Sequence, residues 1–195
     1  MNLLTRRGLI FLAAASGSAG LFAGLDHLAG RIFRPEEAPD GPSGAVDIVQ
    51  FDDHGKRTGK VRLGKIHKSD QEWRRILTPP QYAITRRAGT EIPYSGELLG
   101  EHRQGIFRCA DCGTALFDAD TKFESGTGWP SFWAVIAAEN VREKDDFSLG
   151  LLRRAVQCTL CDAHLGHVSN DGPDPTGLRY CINSAALLFR AKGRA

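Results

Sequence analysis

Polar and apolar residues alternate in a short stretch near the C-terminal end of the chain, from Gly177 to Ala185. Side chains two residues apart share one face of an extended strand. The stretch therefore predicts a β-strand with Arg179, Cys181 and Asn183 on one face. A cation beside a thiol favours the nucleophilic thiolate. Cysteine is also one of the most frequently buried residue types, so an ordinary core strand remains the alternative.

A helical pattern precedes this strand by about a hundred residues. The sequence Ser69–Glu72 has the form of a capping box, with Ser69 as N-cap and Glu72 reaching back to it. It predicts a short helix from about Asp70 to Leu77. The apolar residues expected to be buried by this helix are Trp73, Ile76 and Leu77.

A second helix is predicted directly after the first. Thr78 is its expected N-cap, and Pro79 takes the first helical position, where proline is favourable. Tyr82 and Ile84 supply its apolar contacts. We expect Gly89 to end the helix at its C′ position, where glycine is common.

The segment ahead of these helices, 31–68, is predicted to be a linker and lead-in. It opens with a tether rich in proline, glycine and acidic residues, which is typical of a solvated chain. Val46–Gly64 then combines an apolar patch with a charged turn. This part predicts a short strand and turn, either added to the edge of the domain or part of the tether.

The N-terminal segment, 1–30, has the pattern of an export signal. Arg6 and Arg7 are followed by an uncharged run from Gly8 to Leu25 that is rich in leucine, alanine and glycine. The run is also about as long as the shortest membrane-spanning helix. We expect a twin-arginine signal or a membrane anchor, and hence a protein that is periplasmic or anchored in the inner membrane facing the periplasm.

The composition is that of a globular protein with many turns. The chain has 195 residues, of which 42% are hydrophobic and 25% charged, with 22 glycines and 9 prolines. Short strands and loops are therefore expected rather than long helices. A formal net charge of +2 without a long basic run gives no reason to expect nucleic-acid binding.

Four of the five cysteines form two C-x-x-C pairs, and Cys181 is left over. Two such pairs can place four thiolates at the corners of a tetrahedron, the geometry of a closed structural zinc site. In an oxidising compartment the pairs could instead form disulfides or a redox-active dithiol. The zinc interpretation, with one structural ion, predicts as ligands Cys109, Cys112, Cys158 and Cys161.

Two further patterns contain candidate functional side chains. A glycine-rich turn from Phe123 to Phe132 presents Trp129, which either walls a small apolar pocket or packs in the core. His164 and His167 follow the second cysteine pair. They are structural residues, zinc ligands or, since four thiolates are already available, proton donors and orienting groups.

Taken together, these motifs resemble the peptide-methionine (R)-S-oxide reductases, the B type of methionine sulfoxide reductase. The resemblance covers about residues 69–190. The motifs occur in the family's order and spacing: Cys109-x-x-Cys112, Ser125–Phe132, Cys158-x-x-Cys161, His164–His167, Asp171–Pro173 and Gly177–Ala185.

The resemblance implies a mainly β fold of two antiparallel sheets, a small sandwich or barrel with short N-terminal helices and a structural zinc. Cys181 would be the nucleophile, while His164, His167, Arg179 and Asn183 would line the site and Trp129 and Phe132 would contact the substrate. The implied partners are oxidised methionine in proteins or peptides and an external thiol reductant such as a thioredoxin-like protein. We expect a monomer, with membrane contact only through the N-terminal segment.

Two positions depart from the family pattern. Many relatives have a resolving cysteine where this chain has Thr127, so no spare cysteine is expected to re-form the thiol. Relatives often have phenylalanine where this chain has Ser169.

Two rival functions remain at this point. A zinc-dependent binding module would not need the Arg-x-Cys-x-Asn strand, the histidine pair and Trp129. A thiol-disulfide oxidoreductase would need a βαβ pattern around a C-x-x-C pair, which the sequence lacks.

Overall fold

Strands make up most of the regular structure in the computed structural model, which describes residues 44–148, 150 and 152–193. The segment expected to be an export signal lies outside these residues, as does most of the predicted tether. Within the described ranges, no helix is both long and apolar enough to cross a membrane. The strands are β1 (Ala45–Phe51), β2 (Arg57–Gly64), β3 (Gly105–Cys109), β4 (Ala115–Asp118), β5 (Lys122–Phe123), β6 (Ser131–Phe132), β7 (Val141–Asp146), β8 (Arg153–Cys158), β9 (His164–Ser169), β10 (Arg179–Ile182) and β11 (Leu187–Ala191).

The strands form antiparallel sheets of six, three and two strands. Their orders are β5-β6-β10-β9-β8-β7, β11-β3-β4 and β1-β2. The predicted mainly β class is thus confirmed. The β1-β2 hairpin is a third sheet in addition to the two larger ones. Strand β10, the predicted functional strand, lies inside the six-stranded sheet and is paired on both sides.

Aromatic side chains from the two larger sheets meet in the core. Phe132 of β6 stacks on Phe117 of β4 with ring centroids 4.3 Å apart, and it meets the edge of Phe107 of β3 at 5.0 Å. Such contacts add to the hydrophobic gain from burying each ring. Phe132 has no exposed surface. The expectation that Phe132 contacts the substrate is therefore wrong, because its ring is enclosed between the sheets.

The first predicted helix is α1 (Asp70–Ile76), and its capping box is confirmed. The Glu72 carboxylate accepts a hydrogen bond of 2.7 Å from the backbone N–H of Ser69. Trp73 and Leu77 are buried as expected. Ile76 is 57% exposed, contrary to prediction, because Leu77, the extended C-cap residue, takes the inward position instead.

The second helix, α2 (Pro79–Thr85), begins as predicted, with Thr78 as its cap. It ends before Gly89, which the sequence suggested as its C′ residue. Ala88 takes the left-handed conformation there, with a φ of 52°. Gly89 instead lets the chain pass close to the helix, because a Cβ atom at this position would lie 2.8 Å from the carbonyl oxygen of Ala83.

The β1-β2 hairpin is packed onto the domain, so the chain from 45 to 64 is more than a tether. Ile48 and Val49 are buried. The buried side chain of Asn140 accepts a bond from the N–H of Val49 and donates to the carbonyl oxygens of Val49 and Ala115, each at 2.8 Å. One side-chain amide therefore joins the hairpin to the three-stranded sheet.

Candidate active site and metal centre

Each C-x-x-C pair forms a tight turn at the end of a strand. The first turn follows β3, and the N–H of Gly113 donates to the carbonyl oxygen of Cys109 at 2.8 Å. The second follows β8, and the N–H of Asp162 donates to the carbonyl oxygen of Cys158 at 3.0 Å. Both closing residues have positive φ, 76° for Gly113 and 59° for Asp162. The matching geometry turns both pairs of sulfurs toward one point.

The four sulfurs of these turns, from Cys109, Cys112, Cys158 and Cys161, all lie within 4.8 Å of one another. The Cys109–Cys161 and Cys112–Cys158 pairs are 3.6 Å apart. Zn–S bonds of about 2.3 Å in a tetrahedron place sulfurs roughly 3.8 Å apart, whereas a disulfide requires about 2.05 Å. The geometry therefore fits a metal better than disulfides.

The chemistry of this sulfur cluster also fits a divalent cation. Contacts with Cys112, Cys158 and Cys161, together with burial, raise the pKa of the Cys109 thiol well above its usual value. Four neighbouring thiols therefore cannot all become thiolates without a positive charge among them. A zinc ion would supply that charge and tie the end of β3 to the end of β8.

Cys181 lies apart from this cluster, in the middle of β10, and is half-buried. Its direct cross-strand neighbours are Ser131 of β6 and His167 of β9. Side chains directly opposite in antiparallel strands share a face, so the thiol and the imidazole lie side by side. Tyr180 and Ile182 alternate to the buried face.

A line of hydroxyl groups leads to the Cys181 thiol. The Oγ1 of Thr127 is 3.7 Å from the Cys181 sulfur and 2.8 Å from the Oγ of Ser125. Ser125 in turn is 2.7 Å from the Oγ of Ser131. Thr127, where the family resemblance led us to expect a cysteine, thus lies in direct contact with the Cys181 sulfur.

Arg179 lies two residues before Cys181 on the same face of β10, as the alternation predicts. Its guanidinium donates to both carboxylate oxygens of Asp171, at 3.0 and 2.7 Å. This pairing, with a smaller contribution from Cys181, raises the pKa of Arg179. A fixed cation therefore lies near the thiol. The cross-strand neighbour of Arg179 is Ser169, the second position that differs from the expected family pattern.

Asn183 follows the last residue of β10, and its side chain forms hydrogen bonds with the backbone around it. Its Oδ1 accepts from the N–H of Glu91 at 3.0 Å, and its Nδ2 donates to the carbonyl oxygen of Leu165 at 2.9 Å. With 3% exposure, it is buried. The structure therefore places Asn183 as a brace for the chain beside Cys181.

Glu91 ties this brace to Trp129, and sequence reasoning assigned it no role. Its carboxylate accepts backbone N–H bonds from Ser184 at 2.6 Å and Ala185 at 3.1 Å. Its carbonyl oxygen accepts from the indole Nε1 of Trp129 at 3.2 Å. The half-buried indole is thus held in one orientation at the end of its glycine-rich turn.

The two histidines have different environments. His164 is buried, and burial followed by repulsion from His167 lowers its pKa to about 4. His167 is partly exposed, and its Nε2 lies 2.7 Å from the Oδ2 of Asp146. The ring centroids are 5.3 Å apart, in an edge-to-face arrangement. Asp146 was missed from sequence, because only the folded sheet brings it to His167.

Comparison with known proteins places this geometry in a family. The SelR domain matches residues 77–191. A peptide methionine sulfoxide reductase MsrB from Herminiimonas arsenicoxydans is 54% identical over 127 residues, 65% of this chain and 93% of the relative. Proteins of the same name from Methanosarcina barkeri and Pseudomonas aeruginosa are 53% and 56% identical, over 65% and 64% of this chain and 89% and 95% of the relatives. The chain therefore belongs to the SelR-domain family of B-type methionine sulfoxide reductases.

Proposed function

We propose that the protein reduces methionine sulfoxide in peptides and proteins back to methionine, and so repairs oxidised proteins, with Cys181 as the nucleophile. The observation that carries the proposal is the position of Cys181: it is the only described cysteine outside the four-sulfur cluster, and it lies between Arg179 and His167. The guanidinium of Arg179 supplies a cation on the same face of the strand as the thiol. A binding module without chemistry would have no use for this arrangement.

The proposed reaction transfers one oxygen atom. The Cys181 thiolate attacks the sulfoxide sulfur and a proton reaches the sulfoxide oxygen. The S–O bond of the substrate breaks, the oxygen is transferred to the cysteine sulfur as sulfenic acid, and methionine leaves. Trp129, held by Glu91, packs against the methyl group of the substrate. Only one sulfoxide epimer then directs its oxygen toward the proton donor, and the resemblance assigns that epimer as R.

The proton donor in this scheme is His167. His164 is uncharged at neutral pH because burial lowers its pKa to about 4. His167 is the cross-strand neighbour of Cys181 and is more accessible. A protonated imidazole beside the thiolate can act as general acid toward the departing oxygen.

Zinc in the four-cysteine site would hold the fold together and takes no part in these steps. It would cross-link the turns that follow β3 and β8. Strand β9 begins three residues after Cys161. The ligands thereby fix the strand that carries both histidines.

Regeneration requires a reductant from outside the chain. The residue in contact with Cys181 is Thr127, and a hydroxyl cannot form a disulfide. One external thiol would attack the sulfenic acid, releasing water and forming a mixed disulfide; a second thiol would then release Cys181 as a thiol. A thioredoxin-like dithiol has this chemistry. The twin-arginine pattern at Arg6 and Arg7 supports the further proposal that this happens in the periplasm.

Replacement of Cys181 by serine tests the proposal directly. We expect Cys181→Ser to abolish turnover of a methionine sulfoxide peptide while its zinc content equals that of the wild type, since Cys181 is not in the sulfur cluster. Mass spectrometry of the wild type after substrate addition should show a sulfenic acid or a mixed adduct. Substantial activity in the serine variant, or an internal disulfide to Cys181, would contradict the proposed scheme.

A further inference from the structure

Asp146 and His167 meet across an intervening strand. Asp146 ends β7 and His167 lies in β9, with β8 between them. The residue of β8 opposite His167 is Ala155. Its single methyl group leaves room for the carboxylate and the imidazole to approach over it, so that Oδ2 and Nε2 are 2.7 Å apart. A larger side chain at position 155 would separate the two groups.

The Asp146 carboxylate is itself fixed by two further hydrogen bonds. Its Oδ1 accepts the N–H of Ser148 at 2.9 Å, and its Oδ2 accepts from Arg153 at 2.6 Å. Arg153 also donates to the Oγ of Ser148 at 3.1 Å. The Ser148 backbone bond, followed by the bond to His167, holds the pKa of Asp146 well below its usual value. The carboxylate therefore remains an anion wherever the enzyme works.

We propose that Asp146 is a positioning residue for the reduction described above: it holds His167 by Nε2 and leaves Nδ1 as the ring nitrogen that gives its proton to the sulfoxide oxygen. The inference rests on the proposed function. Imidazole has two nitrogens, and the bond made by one determines which hydrogen is available at the other. An anion at Nε2 also stabilises the protonated ring that general-acid catalysis requires.

Among the residues that the structure describes, Asp146 is the group that bonds to the His167 ring. The charged and titratable groups that face the pair are Asp146 on β7, Arg153 on β8, His164 on β9, and Cys181 and Arg179 on β10. Arg153 bonds to Asp146, Arg179 bonds to Asp171, and His164 meets the ring only by its edge. Asp146 is therefore the group that sets the orientation of the ring.

Asp146→Asn tests the inference, and Asp145→Asn is its matched control. Asp145 is the preceding residue of β7, is exposed, and alternates to the other face of the strand. We expect Asp146→Asn to lower kcat by about tenfold or more, with KM within about twofold of wild type. The pH dependence of kcat/KM should also differ from that of the wild type, because the carboxylate that bonds the ring is gone. The control should keep both constants and the wild-type profile.

A double-mutant cycle separates positioning from general structural damage. In a His167→Asn background, Asp146→Asn should cause no further loss of kcat, because the residue acts through the missing imidazole. Full additivity of the two losses would overturn the inference. An inactive wild type would overturn the proposed function instead, whereas an active wild type with an unaltered Asp146→Asn variant would overturn only the role of Asp146.

Nitrogen NMR of the wild-type imidazoles tests the same point in the unaltered protein, with a variant used only for assignment. The His167 signals are assigned by their loss in His167→Asn. We expect Nε2 to carry a hydrogen throughout the working pH range, since it faces a permanent anion. A neutral ring protonated only at Nδ1 would contradict the proposed orientation.

Discussion

At the scale of single residues, His164 makes the stability of the protein depend on pH. Burial lowers its folded-state pKa from the ordinary value of 6.5 to about 4, so the unfolded chain binds the proton first. The stabilising contribution is therefore complete above pH 6.5 and is lost as the pH falls toward 4. The shift corresponds to on the order of 3 kcal/mol.

Denaturant unfolding at pH 7.5 and about pH 4.5 measures this effect. His164→Asn should lose less free energy of unfolding than the wild type over this interval. His102→Asn is the control, because the side chain of His102 is 65% exposed and meets the equally exposed carboxylate of Glu124, at 3.6 Å. Equal losses in His164→Asn and wild type would show that His164 does not carry the dependence.

Site residues could be predicted from the sequence where the residue type and its local spacing indicate the role. Cys181 was isolated because the other four cysteines pair with one another, and Arg179 because strand alternation is local. Asp146 and Glu91 were missed because their hydrogen-bond partners are distant in sequence. Asp146 is 21 residues from His167, and Glu91 is 92 residues from Asn183. No local pattern indicates such pairs.

At the scale of elements, the β1-β2 hairpin depends on one buried amide. Removal of the Asn140 side chain would leave the N–H and C=O of Val49 and the C=O of Ala115 without that partner. Each buried, unpaired polar group costs about 1–3 kcal/mol. We expect Asn140→Ala to lower the free energy of unfolding by about 3 kcal/mol or more.

Asn170→Ala provides the comparison, because Asn170 is exposed and its loss should change stability by about 0.5 kcal/mol or less. Both variants are measured by urea unfolding. A change below about 1 kcal/mol in Asn140→Ala would mean that the hairpin is held by its apolar contacts alone.

Both helix starts and the end of α1 were predicted, whereas the end of α2 was not. The capping boxes at Ser69 and Thr78 are local hydrogen-bonding patterns, and both are present. The end of α2 depends on tertiary contacts, since Gly89 passes close to Ala83 after the helix has already stopped. A glycine in the sequence signals a tight approach as readily as a helix end.

At the scale of the whole molecule, the cysteine cluster links distant parts of the chain. Removal of the metal by a chelator should lower the melting temperature by about 10 °C or more, because binding free energy at a structural zinc site is folding free energy. Cys181→Ser should show the same metal-dependent shift as wild type. An unchanged melting temperature after complete zinc removal would contradict a structural role.

The mainly β class followed from turn-rich composition and family resemblance, but the sheet order did not. The partners of β10 are β6 and β9, which lie far apart in sequence. Their pairing places Ser131, Cys181 and His167 in one row across three strands. The candidate active site is therefore assembled by strand pairing, and each of three sequence motifs supplies one residue of the row.

The most direct test of the whole account is an assay of both epimers of a methionine sulfoxide peptide, with zinc quantified in the same sample. The wild type should reduce the R epimer only, with about one zinc ion per chain, and Cys181→Ser should bind the same zinc without turnover. Reduction of the S epimer, or turnover that survives loss of Cys181, would contradict the account.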